Sequence, residues 1–176
     1  MSRTALLSID VQRSFLARGY AEQPESALFE QRLLALIAAC EQRQIPVVDV
    51  FHLAEEGPFS LASGLVTRLP FLNHQPALTI YKHVHNAFTD TGLDRWLRER
   101  DINQLIITGI RTEQCCETTA RVASDLGYKV KFVTEATMTT PLEYGGQTLS
   151  VADLRLRTSA VLTDRFADIC SVDDCF

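Results

Sequence analysis

Short apolar runs alternate along the chain with longer stretches in which apolar residues recur every three or four positions. The runs TALLSID (4–10), IPVVDVFH (45–52), ALTIYKHV (77–84), QLIITGI (104–110) and KVKFVTEA (129–136) each read as a strand buried in a sheet. Between them, 25–44, 91–100, 116–128 and 149–166 carry helical spacing, and ADICSV (167–172) reads as a last short strand. In the first helix the pattern predicts a buried face of Leu28, Leu33, Leu34, Ile37 and Ala38, with Glu and Gln opposite. The second should open at Asp90 or Thr91, and the third should stop at Gly127, a residue suited to the position after a helix. Strands alternating with helices imply βαβ units. The expected fold class is therefore α/β: a three-layer, doubly wound domain of about six mainly parallel strands flanked by helices. Residues 55–76 and 137–147 read as loops, the first long enough to be a working one.

At 176 residues the chain suits a single domain, 1–176. Its 17 basic and 22 acidic residues give a net charge of −5 with no basic cluster, which argues against a nucleic-acid partner. No apolar run is long enough to span a membrane, and MSRTALLSIDVQRSFL lacks the features of a secretory leader. The five cysteines, an odd number without a C-x-x-C pair, fit a reducing compartment, and a cytoplasmic location is the expectation.

Ligands of open α/β sheets bind beyond the carboxyl ends of the strands. Asp10 follows the first strand, Lys82 ends the third, and the segment after the fourth leads to Cys115. Taken singly, Asp10 is an ordinary hydrogen-bond acceptor, Lys82 a solvated strand end and Cys115 a small core residue. Together they bring a carboxylate, an ammonium and a thiol to one edge. A helix N-terminus and a nearby lysine would favour the thiolate, and the carboxylate could carry protons for it. Neighbouring residues on a helix point about 100° apart, so only one of Cys115 and Cys116 can face a cleft; Cys116 is assigned to the core.

Three ordered stretches carry a resemblance. ALLSIDVQRSFL, IYKHVHNAFTDTGLDRWL and LIITGIRTEQCCETTARVASDLGYKVKFVTEA resemble the motifs of the isochorismatase-like cysteine hydrolases, which include nicotinamidases and carbamoyl-amine amidases. The resemblance implies Asp10 as acid/base, Lys82 as its charged partner and Cys115 as nucleophile. It further implies a cis peptide at Ile110–Arg111 and an oxyanion hole made by the backbone N–H groups of Arg111 and Cys115. Phe15, His52, His85 and Tyr144 are possible pocket residues, and Phe59 and Phe71 candidate apolar walls. Isochorismatases proper lack the cysteine, so its presence points to a thioester route on a C–N bond: amide, carbamoyl or ureido. The alternatives are a non-covalent isochorismatase-type hydrolase and a catalytically silent ligand-binding or redox-sensing protein.

The sequence departs from the family pattern in places. Arg111 replaces a small residue, and its side chain is expected at the surface, with binding of an acidic substrate group as the alternative. Glu135 stands for Asp, and Asn86 where Ser is common. Asp49 and His52 are three apart and should face opposite ways from a strand. His74, His83 and His85 lack a ligand pattern. No metal and no cofactor is therefore expected, which also disfavours nicotinamide as substrate. The expected partners are a small-molecule substrate and further copies of the chain, as a dimer or larger.

Overall fold

The computed structural model describes residues 3–176; Met1 and Ser2, within the expected 1–176 domain and the leader reading, lie outside them. The strands are β1 (Arg3–Ile9), β2 (Val47–His52), β3 (Leu78–Lys82), β4 (Ile102–Ile110), β5 (Lys129–Met138), β6 (Leu142–Tyr144), β7 (Gln147–Leu149) and β8 (Asp168–Ile169). The helices are α1 (Ser26–Gln42), α2 (Leu93–Arg98), α3 (Glu117–Asp125) and α4 (Val151–Leu162). None is long and apolar enough to cross a membrane.

Six strands form one parallel sheet in the order β3-β2-β1-β4-β5-β8. The chain winds from β1 outward to β3, then returns to the other side of β1 with β4. That reversal opens a crevice between the carboxyl ends of β1 and β4. Alternation along β1 divides the core: Ala5, Leu7 and Ile9 pack with Leu93 and Leu97 of α2 and with Ala120 and Ala123 of α3. Leu6 faces the opposite way and packs with Phe29, Leu33 and Leu36 of α1. All of these side chains are fully buried. The sheet is thus covered on both faces, as the apolar strands require.

The buried residues of α1 are Ser26, Phe29, Leu33, Leu36, Ile37 and Cys40, so Leu33 and Ile37 are buried as expected, but the face is rotated away from Leu28, Leu34 and Ala38. Leu28 is 49% and Leu34 38% exposed. Phe29 sets the rotation, because its ring fills a site between Tyr20 and Phe71 and carries the largest apolar area to bury. Neither Asp90 nor Thr91 is the residue before α2; Gly92 holds that place, with the Thr91 hydroxyl accepting from the Leu93 N–H at 3.3 Å. Residues 137–147 are no plain loop. They contain the end of β5 and the first strand of an antiparallel β6–β7 hairpin, whose turn residues Gly145 and Gly146 both have positive φ. Two adjacent left-handed residues match the twist of the flanking strands, which is why Gly-Gly marks such turns.

Gly109 is the tightest point of the sheet. It sits opposite Ile9 at φ +125°, and a Cβ there would fall 2.0 Å from the Ile9 carbonyl oxygen. The next peptide, Ile110–Arg111, is cis. A π-helical turn, Thr112–Cys116, then leads into α3 and holds Cys115 at the crevice.

Candidate active site

The chain crosses the carboxyl edge of the sheet three times and leaves one reactive group each time. Asp10 follows β1 with φ 53°, a left-handed conformation that Asp tolerates better than most residues. Its backbone N–H donates to the Val50 carbonyl at 2.7 Å, fixing it against β2. Lys82 ends β3 and is completely buried, an arrangement that demands partners. Its Nζ donates to Asp10 Oδ2 at 2.9 Å, to the Val84 carbonyl at 3.1 Å and to Cys115 Sγ at 3.4 Å, and lies 3.0 Å from His52 Nδ1. The other carboxylate oxygen, Asp10 Oδ1, is buried without a hydrogen-bond partner among the described residues.

Burial raises the Asp10 pKa against the opposing pull of Lys82, leaving a carboxylate more basic than a free one. Burial also pushes the Cys115 thiol up to about 12; the Asp10 charge adds to this and Lys82 opposes it. Burial thus works against the thiolate that the helix terminus and Lys82 favour. The resting group is a thiol, because desolvation in the crevice outweighs the lysine, and a base must deprotonate it. Burial and then the Lys82 charge pull His52 down to about 4. His52 is thus neutral at pH 7, with Nδ1 facing the Lys82 ammonium, whose three protons are shared among four neighbours.

One donor atom each from Asp10, His52 and Cys115 lie within 4.8 Å of one another, a spacing that a metal ion could bridge. A divalent cation nevertheless does not fit, because the Lys82 ammonium touches all three residues and already supplies the positive charge there. Asp49 faces away from His52, as the strand alternation predicts. It accepts from His74 Nε2 at 2.9 Å and has Arg68 Nε at 3.3 Å. His74 is thereby a buried structural partner, a pairing invisible in the sequence because 25 residues separate the two.

A cavity of about 410 Å³ opens over this cluster. Asp10 and Cys115 line it with Phe15, Phe59 and Ala54, and its polar wall is Arg18, His52, His85, Arg111 and Gln114. Phe15, His52 and His85 lie where the sequence reading put them. Tyr144 does not: it sits on the β6–β7 hairpin, 87% exposed, because the Gly-Gly turn carries it into solvent. Phe71 packs against the α1 core rather than lining the cavity. Arg111, expected at the surface, is half-buried and lines the cavity, because the turn after β4 runs along its wall.

Sequence reasoning passed over Arg18, Gln114 and Gln12. Gln12, fully buried, accepts from the His52 N–H at 2.8 Å and donates to the His52 carbonyl at 3.1 Å. Its side-chain amide thus acts as one more strand partner and fixes His52. Its place two residues after Asp10 was the available signal. Asn86 accepts from the N–H groups of Phe88 and Thr89 at 2.9 and 3.0 Å and shapes a turn, as Asn side chains do. Glu135 accepts from the Val172 N–H at 2.6 Å and pairs with Arg32, tying down the C-terminal segment. Cys116 is fully buried in the core.

Comparison with known proteins identifies the family of the fold. Residues 4–166 match the model of the isochorismatase domain. The nicotinamidase of Escherichia coli (strain K12) is 28% identical over 77% of this chain and 83% of its own. The solved structure of an isochorismatase from Pseudomonas putida KT2440 superposes with a TM-score of 0.85 at 25% identity, covering 99% of this chain and 90% of that one. That of a cysteine hydrolase from Pseudomonas syringae pv. phaseolicola 1448A shares the fold, with a TM-score of 0.88 at 24% identity over 98% and 90% of the two chains. This chain belongs to the isochorismatase family of hydrolases.

Proposed function

We propose that the protein cleaves a C–N bond of a small molecule, in an amide, carbamoyl or ureido group, through a thioester on Cys115. The observation that carries this reading is the meeting of three groups at one cavity: the Cys115 thiol, the Asp10 carboxylate with one unpartnered oxygen, and the Lys82 ammonium between them. Asp10 Oδ1 takes the thiol proton as Sγ attacks the substrate carbonyl, whose π electrons move to oxygen. The backbone N–H groups of Arg111 and Cys115 hold that oxyanion, a contribution worth about 2.7–4 kcal/mol per donor where measured. As the C–N bond breaks, Asp10 returns the proton to the departing nitrogen. Asp10 then deprotonates a water that attacks the thioester, and the sulfur leaves with the proton as a thiol.

Lys82, itself fully buried, compensates the Asp10 charge and stabilises the sulfur as its proton leaves. Nicotinamidase, the activity of the relative from Escherichia coli, is hydrolysis of an amide of this kind. The five free cysteines accord with a reducing, cytoplasmic setting.

Replacing Cys115 by Ala should lower turnover at least about a thousandfold while leaving the fold intact. Quenching the wild type during turnover should give an acyl adduct on Cys115 by mass spectrometry. Full activity in the variant would instead require a non-covalent hydrolase.

A further inference from the structure

The cavity wall carries two positive charges with no ion-pair partner among the described residues. Among its ten lining residues Asp10 is the only acid, and Asp10 is already paired with Lys82. Arg18 and Arg111 also line the cavity, and neither has a carboxylate partner among the described residues. Arg32, Arg68, Arg95, Arg98, Arg100, Arg121 and Arg157 pair with acids, while Arg3, Arg13, Arg43, Arg155 and Arg165 do not, so what sets Arg18 and Arg111 apart is their place on the cavity wall beside the reactive groups. The guanidinium carbon of Arg18 lies 5.7 Å from the ring centroid of Phe59, itself a wall residue, so the charge stands at the cavity. Arg111 is half-buried, and a partly desolvated guanidinium without an anion is costly. The cavity of a chain with net charge −5 is thus lined by one carboxylate and two guanidinium groups, with the Lys82 ammonium bound to that carboxylate; the next carboxylate, Glu113, is turned to Gln114 and Thr139.

We propose that the substrate is an anionic amide, and that Arg111 and Arg18 recognise its carboxylate while the scissile carbonyl lies over Cys115. The guanidinium fork matches a carboxylate in two parallel hydrogen bonds, and the surrounding positive potential draws anions into the cleft. The apolar side of the same cavity, Phe15 and Phe59, leaves room for a short hydrocarbon linker between the two ends. This inference rests on the site being the hydrolase centre proposed above, and its test separates the two.

The test uses the Cys115→Ala protein, which binds without turning over, and titration calorimetry with the monoamides succinamate, glutaramate and adipamate. Each is compared with its uncharged diamide. At least one acid should bind about tenfold or more tighter than its diamide, with the gap narrowing at high salt. Arg111→Gln and Arg18→Gln should bring the ratio towards one, and Arg111→Lys should keep part of it. Circular dichroism melts check that each variant folds. Acids and diamides binding alike, a ratio indifferent to both arginines, or no acid binding at all would overturn the proposal. A preference for the acids with hydrolysis undiminished by Cys115→Ala would sustain this inference and remove the covalent mechanism.

Discussion

At the scale of single residues, the site is governed by desolvation acting on groups that hold one another in place. Cys115 rests as a thiol near 12, raised by burial and further by the Asp10 charge, with Lys82 pulling the other way. Asp10→Asn removes an upward cause and leaves the lysine, so it should make the thiol more acidic. Alkylation by iodoacetamide at pH 7 should become faster while hydrolysis fails; slower or unchanged alkylation would mean that the Asp10 charge does not hold the thiol pKa up. His52 gives a stability signature. Its folded pKa, about 4, lies below the ordinary imidazole value of 6.5, so the unfolded chain takes up the proton first as pH falls. Its contribution is complete above about pH 6.5 and is lost on descent towards pH 4. Because the ring is only partly buried, about 1–2 kcal/mol is expected rather than the full shift. Urea unfolding at pH 7 and pH 4.5 should show wild type losing that much more stability than His52→Gln.

Between elements, the decisive contact is β1 against β4. Ile9 and Gly109 are opposite one another, and each leads into the site: Ile9 to Asp10, Gly109 through Ile110–Arg111 to the turn that holds Cys115. A methyl group at Gly109 meets backbone, which cannot turn aside as a side chain can. Gly109→Ala should cost about 3 kcal/mol. It should also depress kcat beyond any loss of folded protein, since the base and the nucleophile move apart. A variant with wild-type denaturation midpoint and kinetics would show that this approach is slack. The long segment 55–76 is also tied in. The Arg13 and Ser14 N–H groups donate to the carbonyls of Thr67 and Leu65, and Phe59 closes one side of the cavity. Its length marked it as a working loop in the sequence, but which residue reached the site depended on these hydrogen bonds across the chain.

Across the whole molecule, one sheet separates two apolar clusters, and β1 and β4 contribute residues to both. Neither cluster can lose its packing without exposing the other face of the same strands. We therefore propose that residues 1–176 unfold as one unit. Unfolding followed by Trp96 fluorescence and by far-ultraviolet circular dichroism should superpose. Two separated transitions would mean that the layers are independent.

The order of strands and helices was legible in the sequence because burial on both faces writes a strand as a continuous apolar run and burial on one side writes a helix at 3.6-residue spacing. The proximity of Asp10, Lys82 and the Cys115 segment was legible for a related reason: parallel strands bring all their carboxyl ends to one edge. Rotation and desolvation were not. Which face α1 buries was decided by the space Phe29 fills, and the exposure of Tyr144 by a two-glycine turn. The upward push on the Cys115 thiol comes from its burial and from the Asp10 charge, both of which depend on the folded chain. The unpartnered arginines of the cavity belong to the same class, since the sequence lists charges but only the folded chain determines which of them meet.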